Sequence, residues 1–276
     1  MKEERLKRIL LLFMAVFLFI FTMSPFIWMA VVSFSRQPDF LSKQIPYFFT
    51  LNNYKEIFTS NAVHLIAYLK NSIIISGLAA FFTTIIASLS AYSVTRMKFP
   101  GRIIIPLFLL GVSMFPQISL IGYLFRIMAN LDWINTYYAL IFPYITLSLP
   151  LALWIMLSHF SKVSKELDRA ALIDGAGRLA ILQKIILPVS LPGLFSAYIL
   201  TFIFSFNEFL FALMFTIDYK ARTIPVGIAL FEGLHGQIPW GYIMAAAVIA
   251  VMPIIIIIAF FQKYIMQGLT EGAIKG

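Results

Sequence analysis

The sequence predicts an all-α integral membrane protein with six transmembrane helices. Only 12% of its 276 residues are charged, against about 25% in an ordinary soluble domain. The chain also contains six long intervals with almost no Asp, Glu, Lys or Arg, and about 20 apolar residues are enough for one helix to cross a bilayer. No stretch alternates apolar and polar residues as barrel strands do. In lipid the backbone must therefore satisfy its hydrogen bonds by forming helices.

The charge-poor intervals assign one spanning helix each. They cover residues 9–35, 71–95, 103–125, 133–161, 185–207 and 233–262. The fifth has to be extended across Glu208, and the sixth begins with polar residues, so its helix is expected to start near Gly241. Pro116 falls within the third interval and predicts a kink there, because proline removes a backbone donor and clashes with the preceding turn.

The distribution of basic residues predicts the orientation of the chain. Roughly two thirds of the 21 Lys and Arg residues fall in the segments on the side of the two termini, so the positive-inside rule places both termini in the cytoplasm. The net charge of +9 then reflects the orientation of the chain in the membrane. The sequence has no basic patch interleaved with aromatic residues, the pattern that would indicate nucleic-acid binding. The first apolar run is longer than the core of a signal peptide, which favours a retained helix over a cleaved leader.

The segment DRAALIDGAGRLAILQKIILP (residues 168–188) interrupts this apolar chain with charged and small residues. Ser164 is a suitable N-cap for a short helix, and Glu166 and Asp168 in its first turn suit the helix dipole. The helix is predicted to stop at Gly175. A second short helix is predicted to begin near Arg178 and to end before Pro188, because a proline disfavours helical geometry in the residue before it.

One face of the first short helix is predicted to be shallow. Leu167, Ala170, Ala171 and Asp174 recur at helical spacing, and alanines allow another surface to approach closely. Two interpretations follow from the residues alone: the helix docks into a groove of a partner, or it is an amphipathic connector lying on the membrane surface.

The spacing of this segment resembles the coupling loop of the membrane subunits of ABC importers. That signature is E-A-A, three residues, G, nine residues, I, any residue, L-P, and here Ala170, Ala171, Gly175, Ile185 and the Leu187–Pro188 pair fall at the same intervals. The signature's glutamate is replaced by Arg169, with Asp168 beside it. The resemblance implies that residues 162–188 form a cytoplasmic coupling loop whose first helix docks into an ATPase. The residues expected to couple to the ATPase are Leu167, Asp168, Arg169, Ala170, Ala171, Asp174 and Gly175.

Further segments resemble the carbohydrate-importer permeases, above all the second membrane subunit of maltose and trehalose importers. They are RMKFPGR, FPQISL, FNEFLFAL, RTIPVGIA and the tail GLTEGAIKG. The resemblance implies that residues 1–276 form one permease domain, half of a sugar pathway through the cell membrane of a bacterium or archaeon. It also implies a second permease subunit, an ATPase dimer and an extracytoplasmic sugar-binding protein as partners, with maltose, maltodextrin or trehalose as the sugar. The cytoplasmic tail, residues 266–276, becomes a second expected ATPase contact.

The chain itself carries no signature of ATP hydrolysis. It contains no G-x-x-x-x-G-K-[ST] phosphate loop, so ATP and Mg²⁺ are expected to be used by the partner ATPase, and no cofactor is expected in this chain. No nucleophile–base set shares a segment, so the chain is not expected to be an enzyme. The alternative function is that of an ion-coupled secondary transporter, which would need acids or histidines near the middle of the membrane.

Three polar residues inside the spans are candidates for the translocation pathway. Glu208 is the one acid within a span; it either locks the fold together with Asn207, binds sugar, or reaches water near the end of its helix. Gln117, beside the predicted kink, is the third candidate. The histidines at positions 64, 159 and 235 have no metal-ligand spacing and the chain has no cysteine, so no metal site is predicted.

Overall fold

The computed structural model describes residues 2–36, 49–59, 63–231 and 239–273, without the side chains of residues 2, 3, 265 and 267–273. Within these ranges the chain is helical, and the one β contact is an isolated antiparallel bridge between Ser35 and Phe49. In chain order the helices are α1 (Lys2–Ser33), α2 (Asn52–Thr59), α3 (Leu65–Arg96), α4 (Ile104–Ser113), α5 (Gln117–Asn130), α6 (Tyr138–Lys162), α7 (Lys165–Ile173), α8 (Arg178–Ile181), α9 (Leu187–Val189), α10 (Leu191–Phe206), α11 (Leu210–Phe215), α12 (Ile224–Ala229) and α13 (Trp240–Ala273).

Among the described helices, four are individually long and apolar enough to cross a membrane. They are Glu4–Ser33, Leu65–Arg96, Tyr138–Lys162 and Trp240–Tyr264. Two bent helix pairs bring the number to six if each pair is one span. The start of α13 at Trp240 confirms that the last span begins near Gly241.

The first bent pair is the predicted kink at Pro116. Helices α4 and α5 meet at 95°, and Pro116 itself is extended, with φ −62° and ψ 118°. The residue before a proline is driven out of helical geometry and the proline lacks an N–H, so the helix ends completely and restarts at Gln117.

The second bent pair corrects the prediction that the helix after Arg178 ends before Pro188. A π-helical turn, Leu182–Ile186, joins α8 to α9, and helical structure continues through Pro188 to Val189. In an α-helix the proline ring clashes with the carbonyl four residues earlier; the wider π turn, in which the Leu187 N–H donates to the Leu182 carbonyl, relieves that crowding. The 82° bend therefore falls at Ser190, and the regular helix of the fifth span starts at Leu191.

The described chain forms two compact units, the first made of Met1–Leu65 with Gly227–Met252. In this unit Asn53 of α2 is buried, and its Nδ2 donates to the carbonyls of Ser33 (2.8 Å) and Ser35 (2.9 Å) at the end of α1. A Cβ at Gly241 would lie 2.8 Å from the same Nδ2. The glycine therefore allows α13 to begin directly against α2.

The second unit, Ile66–Val226 with Pro253–Gly276, is built around α6. One apolar cluster joins α6 to α3, α10 and the segment 163–186, and another joins it to α5 and α11. Thr83 and Ser148 share a buried hydrogen bond of 3.0 Å between α3 and α6. Helices α6 and α10 approach so closely that a Cβ on Gly193 would lie 2.3 Å from Cγ of His159. Small and polar residues at such contacts are typical of helix packing in membranes.

Candidate functional site

The central loop, residues 162–188, contains the first short helix with the ends that the sequence predicts. The Ser164 hydroxyl accepts a hydrogen bond from the Glu166 N–H at 3.2 Å, which makes Ser164 the N-cap of α7. The helix ends at Ile173, and Gly175 follows with φ +79°. The Ala176 N–H closes the end by donating to the Ala171 carbonyl at 2.9 Å. A left-handed residue with such a closing bond is the usual end of a helix, and glycine adopts it without strain.

The predicted shallow face of α7 is not one surface in the structure. Ala171 is only 7% exposed and packs in the first apolar cluster, whereas Leu167, Ala170 and Asp174 are exposed. Asp168 and Ala171 lie one turn apart on the same side of α7. This side of the helix packs inward, against the first apolar cluster and Arg96.

The most exposed side of α7 carries a different set of residues. Glu166, Arg169, Ala170 and Ile173 share it, and Ile173 is 86% exposed. Glu166 and Ile173 are absent from the residues predicted by resemblance. The four residues together recur at three- and four-residue intervals, and this helical spacing is the signal that identifies the side.

The adjacent charges Asp168 and Arg169 point in opposite directions. The Arg169 Nη1 lies 2.8 Å from the Glu166 Oε1, and both side chains are exposed. Asp168 points inward, where its Oδ2 lies 3.3 Å from Nε of Arg96. The residue that replaces the signature's glutamate is thus paired within its own helix, and the neighbouring acid is paired with a spanning helix.

Among the described residues, the hydrogen bonds of the Glu208 side chain join α6 to α11 and do not involve Asn207. The Glu208 side chain is buried, with 8% of the residue exposed, and its Oε2 accepts a hydrogen bond of 2.8 Å from the Tyr144 hydroxyl of α6. Its oxygens also accept from the backbone N–H groups of Phe211 (2.9 Å) and Ala212 (3.2 Å) in the first turn of α11. A carboxylate at this position satisfies unpaired helix N–H groups and suits the helix dipole.

Asn207 and Gln117 are placed differently from Glu208. Asn207 is exposed, and its Nδ2 donates to the carbonyl of Ile203 on its own helix at 2.8 Å. Gln117 is half-buried at the first position of α5. One turn further along α5, Ile121 packs in the same apolar cluster as Phe211.

Asn135 and Asp218 form a polar clasp that no sequence pattern predicted. Asn135 has φ +62°; its Nδ2 donates to the Asp218 Oδ1 at 2.9 Å, and its Oδ1 accepts from the Ile217 N–H at 3.0 Å. The Lys220 N–H donates to the same Asp218 Oδ1 at 2.8 Å. The bond from Asn135, followed by that from Lys220, holds the pKa of Asp218 below its ordinary value.

Some predictions lie wholly or partly outside the described residues. His235 and the last residues of the tail, 274–276, fall there, so the tail contact is not tested. Among the residues that are described, no group of three or more His, Asp or Glu side chains could hold a metal ion.

The comparisons with known proteins agree on one family, that of transport-system permease components. The model of the family described as "Binding-protein-dependent transport system inner membrane component" matches residues 84–271. The trehalose/maltose transport system permease protein MalG of Thermococcus litoralis is 57% identical over 277 residues, which is 100% of each chain. The trehalose transport system permease protein SugB of Mycobacterium tuberculosis is 37% identical, over 93% of each chain. The sulfoquinovosyl glycerol transport system permease protein SmoH of Agrobacterium fabrum is 38% identical, over 91% of this chain and 88% of its own.

Solved structures share the fold. A chain of a bacterial ABC transporter involved in the import of the acidic polysaccharide alginate matches with a TM-score of 0.76. That match has 20% sequence identity and covers 94% of this chain and 98% of the other.

Proposed function

The chain belongs to the family of binding-protein-dependent transport system inner membrane components, and from this premise we propose that it is the translocation subunit of an ATP-driven sugar importer. It forms half of the pathway and pairs with a second permease subunit. The observation that carries the proposal is 57% identity to a sugar permease over the full length of both chains.

The proposed sugar is trehalose, maltose or a maltodextrin. Two of the relatives are named for trehalose transport, one of them also for maltose. The relative named for sulfoquinovosyl glycerol is 38% identical, well below the 57% of the trehalose and maltose permease. An extracytoplasmic binding protein delivers the sugar, as the description of the family implies.

The central loop is the proposed coupling loop, with both termini in the cytoplasm. It lies within the residues that match the family model, and α7 presents Glu166, Arg169, Ala170 and Ile173 to the outside. We propose that this side of α7 docks onto one subunit of an ATPase dimer, with the tail, residues 266–276, as a second contact. ATP and Mg²⁺ are then used by the partner, and this chain has no ATPase activity of its own.

The proposed mechanism is alternating access. ATP binding closes the ATPase dimer, the docked α7 helix moves with it, and the spanning helices rearrange to open the pathway to the loaded binding protein. The bent helix pairs suit such a movement, because a break between two helices is a place where one can turn without unfolding the other.

Replacing Gly175 tests the role of the loop. Gly175→Leu is expected to reduce both ATPase co-purification and sugar uptake, because a side chain at φ +79° is strained whatever the space around it. Gly177→Leu is the matched control, since Gly177 also has open space around its Cβ position but has φ −71°, which any residue can adopt. Assembly and uptake that survive Gly175→Leu unchanged would sink the coupling-loop proposal.

The alternative of an ion-coupled secondary transporter gains no support. Its one candidate coupling acid, Glu208, is occupied by three hydrogen bonds, two of them from the backbone. Uptake that persists after ATP depletion and collapses with the ion gradient would favour this alternative.

A further inference from the structure

Arg96 is a buried cation at the end of a spanning helix. It is the last residue of α3, and its side chain is only 2% exposed. A buried guanidinium is costly unless it is paired and hydrogen-bonded. Its Nη2 donates to the carbonyls of Phe160 (3.0 Å) and Val163 (2.7 Å). Those carbonyls lie at the C-terminal end of α6, where unpaired acceptors and the helix dipole both favour a cation.

The same guanidinium reaches the central loop. Its Nε lies 3.3 Å from the Oδ2 of Asp168 on α7, and the Asp168 side chain is 15% exposed. One side chain of α3 therefore connects the end of α6 to the first turns of α7. The apolar contacts follow the same path, because Ala171 of α7 packs in one cluster with Tyr92 of α3 and Phe160 of α6.

The ion pair between Arg96 and Asp168 leaves some of its donors and acceptors without hydrogen bonds, so a second arrangement of the two side chains is available. Among the described residues, Nε and Nη1 of Arg96 and Oδ1 of Asp168 are buried without a hydrogen-bond partner, so the 3.3 Å contact between Nε and Oδ2 is an ion pair and not a hydrogen bond. Arginine and a carboxylate can form two parallel hydrogen bonds. The pair thus keeps two donors and one acceptor for a second, hydrogen-bonded arrangement when α7 shifts against α3.

We propose that Arg96 and Asp168 form the link through which movement of α7 reaches the spanning helices α3 and α6. This inference rests on the proposed function, in which an ATPase moves α7. Asp168 is then a positioning residue on the inner side of the coupling helix, whereas the signature resemblance places it among the residues that meet the ATPase. Without the link the ATPase still docks and hydrolyses ATP, but less of its movement reaches the spans.

The test measures sugar transported per ATP hydrolysed, in proteoliposomes that contain the assembled complex and the binding protein. Asp168→Asn keeps the size of the side chain and leaves the bonds from Arg96 to α6 in place. The Asp168→Asn complex is expected to keep its ATPase subunits bound. Its ratio of sugar transported to ATP hydrolysed is expected to fall by about fivefold or more, which is the size of an ordinary coupling between sites. Asp132→Asn is the matched control, because it makes the same change at an exposed residue after α5 and should leave the ratio unchanged.

Arg96→Lys and the double variant separate a link from two independent structural roles. If both residues act through one link, the double variant loses no more than the more severe single variant; independent effects multiply. The proposal is overturned if Asp168→Asn leaves the ratio at the wild-type value, if the losses multiply, or if Asp168→Asn alone releases the ATPase. A wild-type complex without ATP-driven uptake would instead refute the proposed function and not the link.

Discussion

Glu208 illustrates how a single buried acid holds two helices at a break. Its carboxylate accepts hydrogen bonds from Tyr144 and from two N–H groups at the start of α11. Glu208→Gln replaces one acceptor oxygen with a donor, so that at least one buried partner loses its bond. We expect a loss of about 1–3 kcal/mol in the free energy of unfolding, measured by thermal unfolding of the purified complex.

Asn207→Ala is the control for that experiment, because Asn207 is exposed and its Nδ2 donates to a carbonyl of its own helix. Equal stability of Glu208→Gln and wild type would contradict a stabilising role for the hydrogen bonds of Glu208 to α6 and α11. A raised KM for sugar at unchanged stability would point to direct sugar contact by Glu208.

We expect the stability of the folded chain to depend on pH in the acid range, because the pKa of Asp218 is lowered on folding. Its pKa in the folded chain is lowered from 3.8 by the bond from Asn135 and by that from the Lys220 N–H. A lowered pKa means that its stabilising effect is complete above 3.8 and is lost as the pH falls through the folded value. The difference in melting temperature between wild type and Asp218→Asn should therefore shrink as the pH is lowered below about 4. A difference that stays constant down to pH 2 would show that the clasp does not depend on the charge.

At the scale of helices, close approach at Gly193 sets the packing of α6 against α10. Gly193→Ala would place a methyl group 2.3 Å from the His159 ring, so the His159 side chain or one of the two helices must shift. We expect destabilisation of about 1–3 kcal/mol in thermal unfolding. Gly122→Ala, inside α5 with nothing near its Cβ position, should be neutral or slightly stabilising. The same result for both variants would contradict a tight contact at Gly193.

The elements were predictable wherever one local property decides them. Charge-poor length predicts the positions of the four long apolar helices and of the two bent helix pairs, and proline geometry predicts the break at Pro116. The break at Ser190 was not predictable, because the π turn before Pro188 lets a helix continue through a residue that normally ends one. Helical periodicity places Asp168 and Ala171 on α7, but which side of α7 packs inward depends on Arg96, which is distant in sequence.

At the scale of the whole molecule, the function follows from spacing and similarity more than from any polar site. The coupling signature and the full-length relatives agree on a permease. The residues that line the pathway could not be identified from the sequence, because polar side chains in the spans can be satisfied by backbone groups. Glu208 is such a case: its partners are N–H groups of α11 and a tyrosine of α6, and neither is visible in a sequence pattern.

Sugar uptake by the chain, co-purified with its partners and reconstituted with a sugar-binding protein, distinguishes an ATP-driven permease from an ion-coupled transporter. We expect trehalose or maltose to enter only when ATP is supplied on the side of the ATPase, and uptake to survive the collapse of ion gradients. Uptake by the chain without an ATPase, driven by an ion gradient and indifferent to ATP, would contradict this expectation.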